Sequence, residues 1–262
     1  MSADRYVQAV VLLLSAEVCV LSKYNITLPV SPNLRKNEPD ITKVIRFNFS
    51  RRGALIYIAH LDMLRLFERA LIRSGLKFVS SQGFNPRPLM VFALPVGIGV
   101  EVDNDLVEIT FYGGPDTEQA ADKLNASMPP DIRITNAHYE DRASGSIMAM
   151  VNSAEYTFMH KDLSRIVRTA MCGEVLNVTK GSKGKGGKVK DVDIKPLIHK
   201  LDFPDDNTIK AVFSAGSKNN LRPDLFLKAL TTDSGFSLKN ALDTVIIRNR
   251  IFLEGDHQVA EK

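Results

Sequence analysis

From residue 43 onward, hydrophobic and polar positions follow two different periods, and the switches between them mark the elements. Residues 44–49, Val-Ile-Arg-Phe-Asn-Phe, alternate with period two, the pattern of a strand with one buried face. Arg51, Arg52 and Gly53 form a turn, and residues 55–59 read as a short strand or as the lead into a helix. Residues 61–74 carry a helical period closed by Gly75 at the C-terminal cap. Strands are predicted at 77–80, 89–94 and 106–111, with the run Pro95 to Gly99 between the last two. A helix over 117–128 stops at Pro129 and Pro130, and a strand covers 132–139. The rhythm then repeats: strand 155–159, helix 162–171, a hairpin of 174–179 and 188–194, strand 209–214, helix 223–230 and strand 244–253. Two successive β-α-β-β-α-β series predict an α+β fold of two tandem ferredoxin-like halves, 43–145 and 150–255, with helices on one face of antiparallel sheets. Residues 256–262 read as a tail.

The first 42 residues stand apart. Residues 7–21 are nearly apolar but include Gln8, Ser15 and Glu17, and are too short to span a bilayer comfortably. Asp4 offsets Arg5, and no small-x-small cleavage site follows, so the pattern is not that of a secretory signal. Pro29, Pro32 and Pro39 punctuate a polar linker. Residues 1–42 are an N-terminal extension and linker on this reading. The alternatives are a packed helix or weakly ordered extension, a start assigned too early, or a membrane anchor.

On a helical wheel, Leu61, Leu64, Phe67, Leu71 and Ile72 gather on one side of the 61–74 helix, with Met63 and Ala70 at the edge. That side is expected to face the sheet. Arg65, Arg69 and Arg73 recur at every fourth position beside it, joined by Asp62. Each guanidinium is a planar fork suited to phosphate or carboxylate. The stripe is either such a binding surface or a solvated face paired locally with Glu68 and Asp62. His60 precedes the helix, where a small polar cap is usual; it is a structural residue or a general base.

The segment Ser80-Ser-Gln-Gly-Phe-Asn-Pro-Arg-Pro88 is the sharpest local feature. Pro86 and Pro88 bias Asn85 and Arg87 toward extended backbone, and Gly83 permits positive φ or close approach. A stiff segment that presents Asn85 and Arg87 loses little entropy on binding. Phe84 anchors the loop or stacks on a base, and the whole segment reads equally as a stiff inter-strand turn.

These residues carry a resemblance. The run from Tyr57 to Arg65, the run from Arg69 to Leu76, the Ser80–Pro88 segment and Ala93-Leu-Pro-Val-Gly97 resemble the bacterial radical-SAM-associated domain of unknown function. Further along, Ala154-Glu-Tyr156, the run from Lys190 to Pro196, Leu221-Arg-Pro223 and Ile247-Arg248 are similar to its second half, so the resemblance spans about residues 43–253. It implies a radical SAM enzyme as partner and an RNA-related or ribosome-related substrate. It also adds Arg222 to the candidate binding residues. Ala59 departs from the Ser more usual there.

Composition narrows the classes. Hydrophobic residues at 44% and charged residues at 24% exclude wholesale disorder. Two cysteines, Cys19 and Cys172, without C-x-x-C spacing, exclude a disulfide framework and an all-cysteine metal or cluster site. We therefore expect no cofactor in this chain, a cytoplasmic location and no membrane partner. The net charge of +4 hides a polarity. Residues 43–87 hold nine Lys/Arg against two acids, whereas residues 101–141 hold two against ten. Such fields steer charged partners. The run from Lys180 to Lys190 adds five lysines among glycines but lacks the P-loop order. It is a flexible hairpin tip or a mobile phosphate clamp using Lys183, Lys185 and Lys188. Asp191 and Asp193 alternate on one strand face, as a salt-bridge site or as weak metal ligands without further donors nearby.

Three functions remain open. The first is an accessory or substrate-adaptor protein that binds RNA or ribonucleoprotein through Arg65, Arg69, Arg73, Asn85, Arg87 and the lysine tip. The second is an RNA-processing or RNA-modifying enzyme with His60 as base and Asp62 or Asp193 orienting it. The third is a protein-docking module that uses the acidic stretch and touches no nucleic acid.

Overall fold

The computed structural model describes residues 41–141, 145–180, 190–217, 219–233 and 236–256. The alternating run near the start forms strand β1 (Thr42–Arg51). A 3-10 turn at Gly53–Tyr57 follows, so residues 55–59 are neither strand nor regular helix. It leads into helix α1 (His60–Ser74), which ends at Gly75 in the left-handed conformation with φ 68°. A side chain other than glycine would be strained there, which explains the cap. The expected strand at 77–80 is reduced to two isolated bridges, Phe78 to Phe111 and Ser80 to Pro88. Strand β2 (Met90–Phe92) is short, while β3 (Val100–Tyr112) is longer than its apolar run suggests. Helix α2 (Thr117–Ser127) starts with the Asp116 carboxylate accepting from the Gln119 amide at 2.9 Å, and β4 (Ile132–Glu140) closes the first half.

The second half begins with a short helix α3 (Ile147–Met150), then β5 (Val151–Met159) and helix α4 (Leu163–Cys172). Strands β6 (Asn177–Lys180) and β7 (Lys190–Asp193) form the expected hairpin, but as a separate two-stranded ribbon. The main sheet uses β8 (Ile198–Asp202) instead, which the hydrophobic pattern does not reveal. Among the described residues β8 pairs with β9 (Thr208–Ser214) alone, and an edge strand with one partner can carry polar residues such as His199 and Lys200. Helix α5 (Pro223–Asp233), helix α6 (Leu238–Asp243) and strand β10 (Val245–Leu253) complete the chain.

One eight-stranded sheet, mostly antiparallel, spans both halves in the order β4-β1-β3-β10-β5-β9-β8, with β2 also on β3. The first half contributes β4, β1, β3 and β2; the second contributes β10, β5, β9 and β8. They meet at the sheet's parallel pair, where Ile246, Ile247 and Arg248 of β10 lie against Val100, Glu101 and Val102 of β3. Each half has its own apolar cluster. In the first, Ile45, Phe47 and Phe49 of β1 pack with Met63 and Phe67 of α1 and Leu124 of α2. The alternate β1 positions are polar and paired: Arg46 bonds Glu108 at 2.7 Å and Glu140 at 2.8 Å, and Asn48 bonds Asn104 at 2.8 Å. Several acids of the 101–141 stretch are thus spent inside the molecule, Asp103 also pairing with Arg52 at 2.8 Å.

The orientation of α1 differs from the wheel. Met63, Phe67, Ala70 and Leu71 are the buried residues, while Leu61 and Ile72 are 65% and 58% exposed. The cause is aromatic packing: Phe67 lies edge-on to Phe49 at 5.3 Å and to Phe92 at 5.1 Å. Locking Phe67 there draws in Met63 and Ala70, its neighbours four before and three after, and turns Leu61 and Ile72 outward.

The two halves are held across the seam by a buried ion pair. The Arg248 guanidinium donates to both carboxylate oxygens of Asp105, with Nε to Oδ1 at 2.8 Å, and also to the Leu94 carbonyl at 2.9 Å. Both side chains are nearly inaccessible. Burial alone would lower the Arg248 pKa, but Asp105 and Tyr156 raise it above its ordinary value. Arg51, fully buried nearby, also draws on Asp105 electrostatically. Asp105 therefore compensates two guanidinium groups. Asp105→Asn should cost about 3–5 kcal/mol of unfolding free energy, the usual range for an uncompensated buried charge. Arg248→Met should cost less, since Asp105 keeps Arg51. Urea unfolding of both variants checks the ranking; an Arg248→Met loss larger than that of Asp105→Asn would contradict it.

Candidate functional site

Helix α1 places Arg65, Arg69 and Arg73 together. They line one recess of about 400 Å³ with Asp62, above an apolar floor that includes Leu55, Ile58 and Leu66. Arg65 bonds Asp62 at 2.9 Å, an exposed pair of little energetic weight. Arg73 donates to the Ser127 carbonyl at 2.5 Å, which fixes its reach toward the end of α2. Arg69 makes no ion pair among the described residues. No carboxylate of the acidic stretch neutralises the stripe, so the recess keeps a surplus of positive charge.

The Gly83 loop stands beside the same helix. Arg87 reaches Glu68 of α1 at 3.4 Å, and its amide donates to the Ser81 hydroxyl at 3.1 Å. The Ser81 amide returns a bond to the Arg87 carbonyl at 2.8 Å, closing the loop at its base. At the tip Gly83 has φ 150°, and Phe84 is fully exposed, so it does not anchor the loop. Asn85 is exposed as well. The loop contacts α1 through Glu68, about a sixth of a turn from Arg65 on the wheel, but does not line the arginine recess.

The remaining candidates separate. Arg222 lies in a second recess at the seam, with Arg248 and Tyr156, and is bonded to Asp224 at 2.5 Å. Asp193 accepts the Leu176 and Lys195 amides at 2.9 and 3.0 Å, and Asp191 accepts the Thr179 hydroxyl at 2.7 Å. Both aspartates have structural partners, and among the described residues no group of three or more His, Cys, Asp or Glu is arranged to hold a metal. Lys183, Lys185 and Lys188 lie outside the described residues, as do residues 1–40. No described helix is long and apolar enough to cross a membrane.

His60 sits in the first turn of α1, edge-on to the Phe92 ring at 5.5 Å. Asp62 serves Arg65, and no carboxylate among the described residues bonds the imidazole. Partial burial lowers its pKa, and repulsion from Arg248 and Arg51 lowers it further. The unfolded chain therefore binds a proton near the ordinary value of 6.5, where the folded chain does not. As pH falls below that value the wild type should lose stability more steeply than His60→Gln. Denaturation midpoints across this window check it, and parallel curves would contradict it.

Sequence reasoning did not single out Arg51, Asp105, Tyr156 or Arg248 as a group. The available signal was weak: Arg248 follows the apolar run Val245-Ile-Ile247 in β10, but Asp105 stands in the polar stretch Glu101-Val-Asp-Asn-Asp105 of β3, where nothing marks it as buried.

No curated protein matches the chain. Among solved structures, the dye-decolorizing protein from V. cholerae is 10% identical and the alignment covers 80% of this chain and 91% of that one, with a TM-score of 0.19. At that score the likeness carries no argument. A family model described as an uncharacterized protein conserved in bacteria, DUF2344, matches residues 44–223, well over half of the sequence, and the chain belongs to that family.

Proposed function

We propose that this chain is a binding protein, not a catalyst, which grips RNA or a ribonucleoprotein through the arginine recess of α1 and the adjoining Gly83 loop. On this reading it presents that substrate to an enzyme, and the sequence resemblance makes a radical SAM enzyme the partner class. The single observation that carries the reading is the convergence of Arg65, Arg69 and Arg73 on one open recess without neutralising acids from residues 101–141. Three guanidinium forks spaced along a helix suit successive phosphates of a single strand. The exposed Phe84 ring supplies a face on which an unpaired base stacks, the common mode of single-stranded recognition.

We also read the two halves as tandem ferredoxin-like units. The strand orders β4-β1-β3-β2 and β10-β5-β9-β8 support this, since in each half the last strand lies beside the first and the third beside the second. In the second half the β6–β7 ribbon is then an insertion between α4 and β8.

A single-stranded RNA oligomer tests the binding reading. Its affinity should fall steeply with salt, and the triple change of Arg65, Arg69 and Arg73 to alanine should flatten the logarithmic slope by about 2, roughly 0.7 for each lost phosphate contact. Binding that ignores salt, or a triple variant that binds as the wild type does, would refute the assignment. Each of the three side chains belongs to an exposed residue, so the fold does not depend on them.

A further inference from the structure

We propose that the seam between the two halves is a second binding site, for a small organic anion with an apolar body and a single carboxylate, sulfonate or phosphate head. A recess of about 420 Å³ opens there. Its walls are largely apolar, lined by Leu94, Val96 and Val100 and by Ile246 of β10, the register partner of Val100. Tyr156, Asn220, Arg222 and Arg248 supply hydrogen-bonding groups, and Asp224 the one carboxylate among the described lining residues. Apolar walls with a few convergent polar groups, at a boundary between two packed units, are the usual form of a small-molecule site.

The charge balance selects the sign of the ligand. Arg248 is matched by Asp105 behind the wall, and Arg222 by Asp224 at the mouth. Arg51 is the surplus. It is fully buried, its Nη2 donates to the carbonyls of Gly97 and Val100 at 2.9 and 2.6 Å, and its Nε and Nη1 have no hydrogen-bond partner among the described residues. Gly97 and Val100 are themselves wall residues, so this guanidinium lies directly behind the recess surface. Its pKa, lowered by burial to about 10, leaves it charged at neutral pH. Among these described groups, three cations against two carboxylates leave one positive charge in excess, close to a largely apolar recess. Asp105 is shared between Arg248 and Arg51, so its single charge leaves a buried excess that is costly and that an anion seated in the recess offsets. The His60 pKa is lowered first by burial and further by Arg248 and Arg51, whose field thus reaches the α1 side.

At the mouth, Arg222 and Asp224 are more than half exposed, and their bidentate pair engages Nε and Nη2 of the guanidinium and leaves Nη1 outside it. Arg222 is the group that meets an incoming anion, and Asp224 competes with that anion for it. Removing either therefore moves affinity in opposite directions, which mere apolar stickiness would not do.

The fluorescent anion 1-anilinonaphthalene-8-sulfonate and its neutral analogue N-phenyl-1-naphthylamine, the same body without the head group, provide the test on the full chain. The anion should bind saturably at one site. Arg222→Met should weaken it about tenfold and Asp224→Asn should tighten it severalfold, while the neutral analogue responds to neither. Arg69→Ala, in the α1 recess, should leave the anion's affinity unchanged. Absence of saturable binding, equal affinity across the Arg222 and Asp224 variants, or a loss in Arg69→Ala as large as in Arg222→Met would overturn the proposal. Both mouth residues are exposed, so neither change removes core packing. The outcome is independent of RNA binding, which rests on other residues.

Discussion

The buried pair of Asp105 and Arg248 is the contact on which the joining of the two halves depends. The parallel register between β3 and β10 extends over only three residue pairs, too few backbone bonds to fix one half against the other by themselves. Arg248 adds a bidentate grip on Asp105 and further bonds to the Leu94 and Pro95 carbonyls, so a single side chain of β10 ties β3 and the Pro95 turn together. Asn249 repeats the link on the opposite side of the sheet, donating to Asp103 at 3.2 Å while accepting from Thr157 at 2.8 Å. Charged groups held this way are hydrogen-bonded along fixed directions, and they specify alignment where an apolar contact would tolerate sliding.

The same pair shapes both recesses. On one side it carries the wall of the seam cavity, with Arg51 and Tyr156 around it; burial raises the Tyr156 pKa, against the pull of Arg248. On the other, Asp105 lies opposite Phe49 in the β1–β3 register, and Phe49 is the ring against which Phe67 of α1 is packed. The rotation of α1, and with it the direction of the arginine stripe, follows from that aromatic contact. Four acids of the 101–141 stretch are engaged on β3 and β4 with Arg46, Arg52 and Arg248 instead of with the stripe. Charge polarity along the sequence thus survives folding as a local surplus on α1.

Much of the element order was legible because period and punctuation agree: Gly75 ends α1, the two prolines after Met128 end α2, and alternation marks β1. What escaped had weak local signals. Strand β8 is polar because it is an edge, and α3 and α6 are too short to show a period. The α1 face was misjudged because a wheel weighs Leu61 and Ile72 by hydrophobicity alone, whereas the packed rings of Phe49, Phe67 and Phe92 decide which side turns inward. Within the candidate site, the spacing of Arg65, Arg69 and Arg73 on a helix already implied a common face. Arg222 could not be assigned that way, since its neighbours in space, Arg248 and Tyr156, are distant in sequence.

The most direct measurement is ultraviolet crosslinking of the full chain to single-stranded RNA, with the crosslinked residues mapped by mass spectrometry. Crosslinks should concentrate on Phe84 and its loop neighbours and along the exposed side of α1. Crosslinks confined to the polar sheet face around Arg46 and Asn48, or an absence of any at low salt, would contradict the placing of the interface on α1.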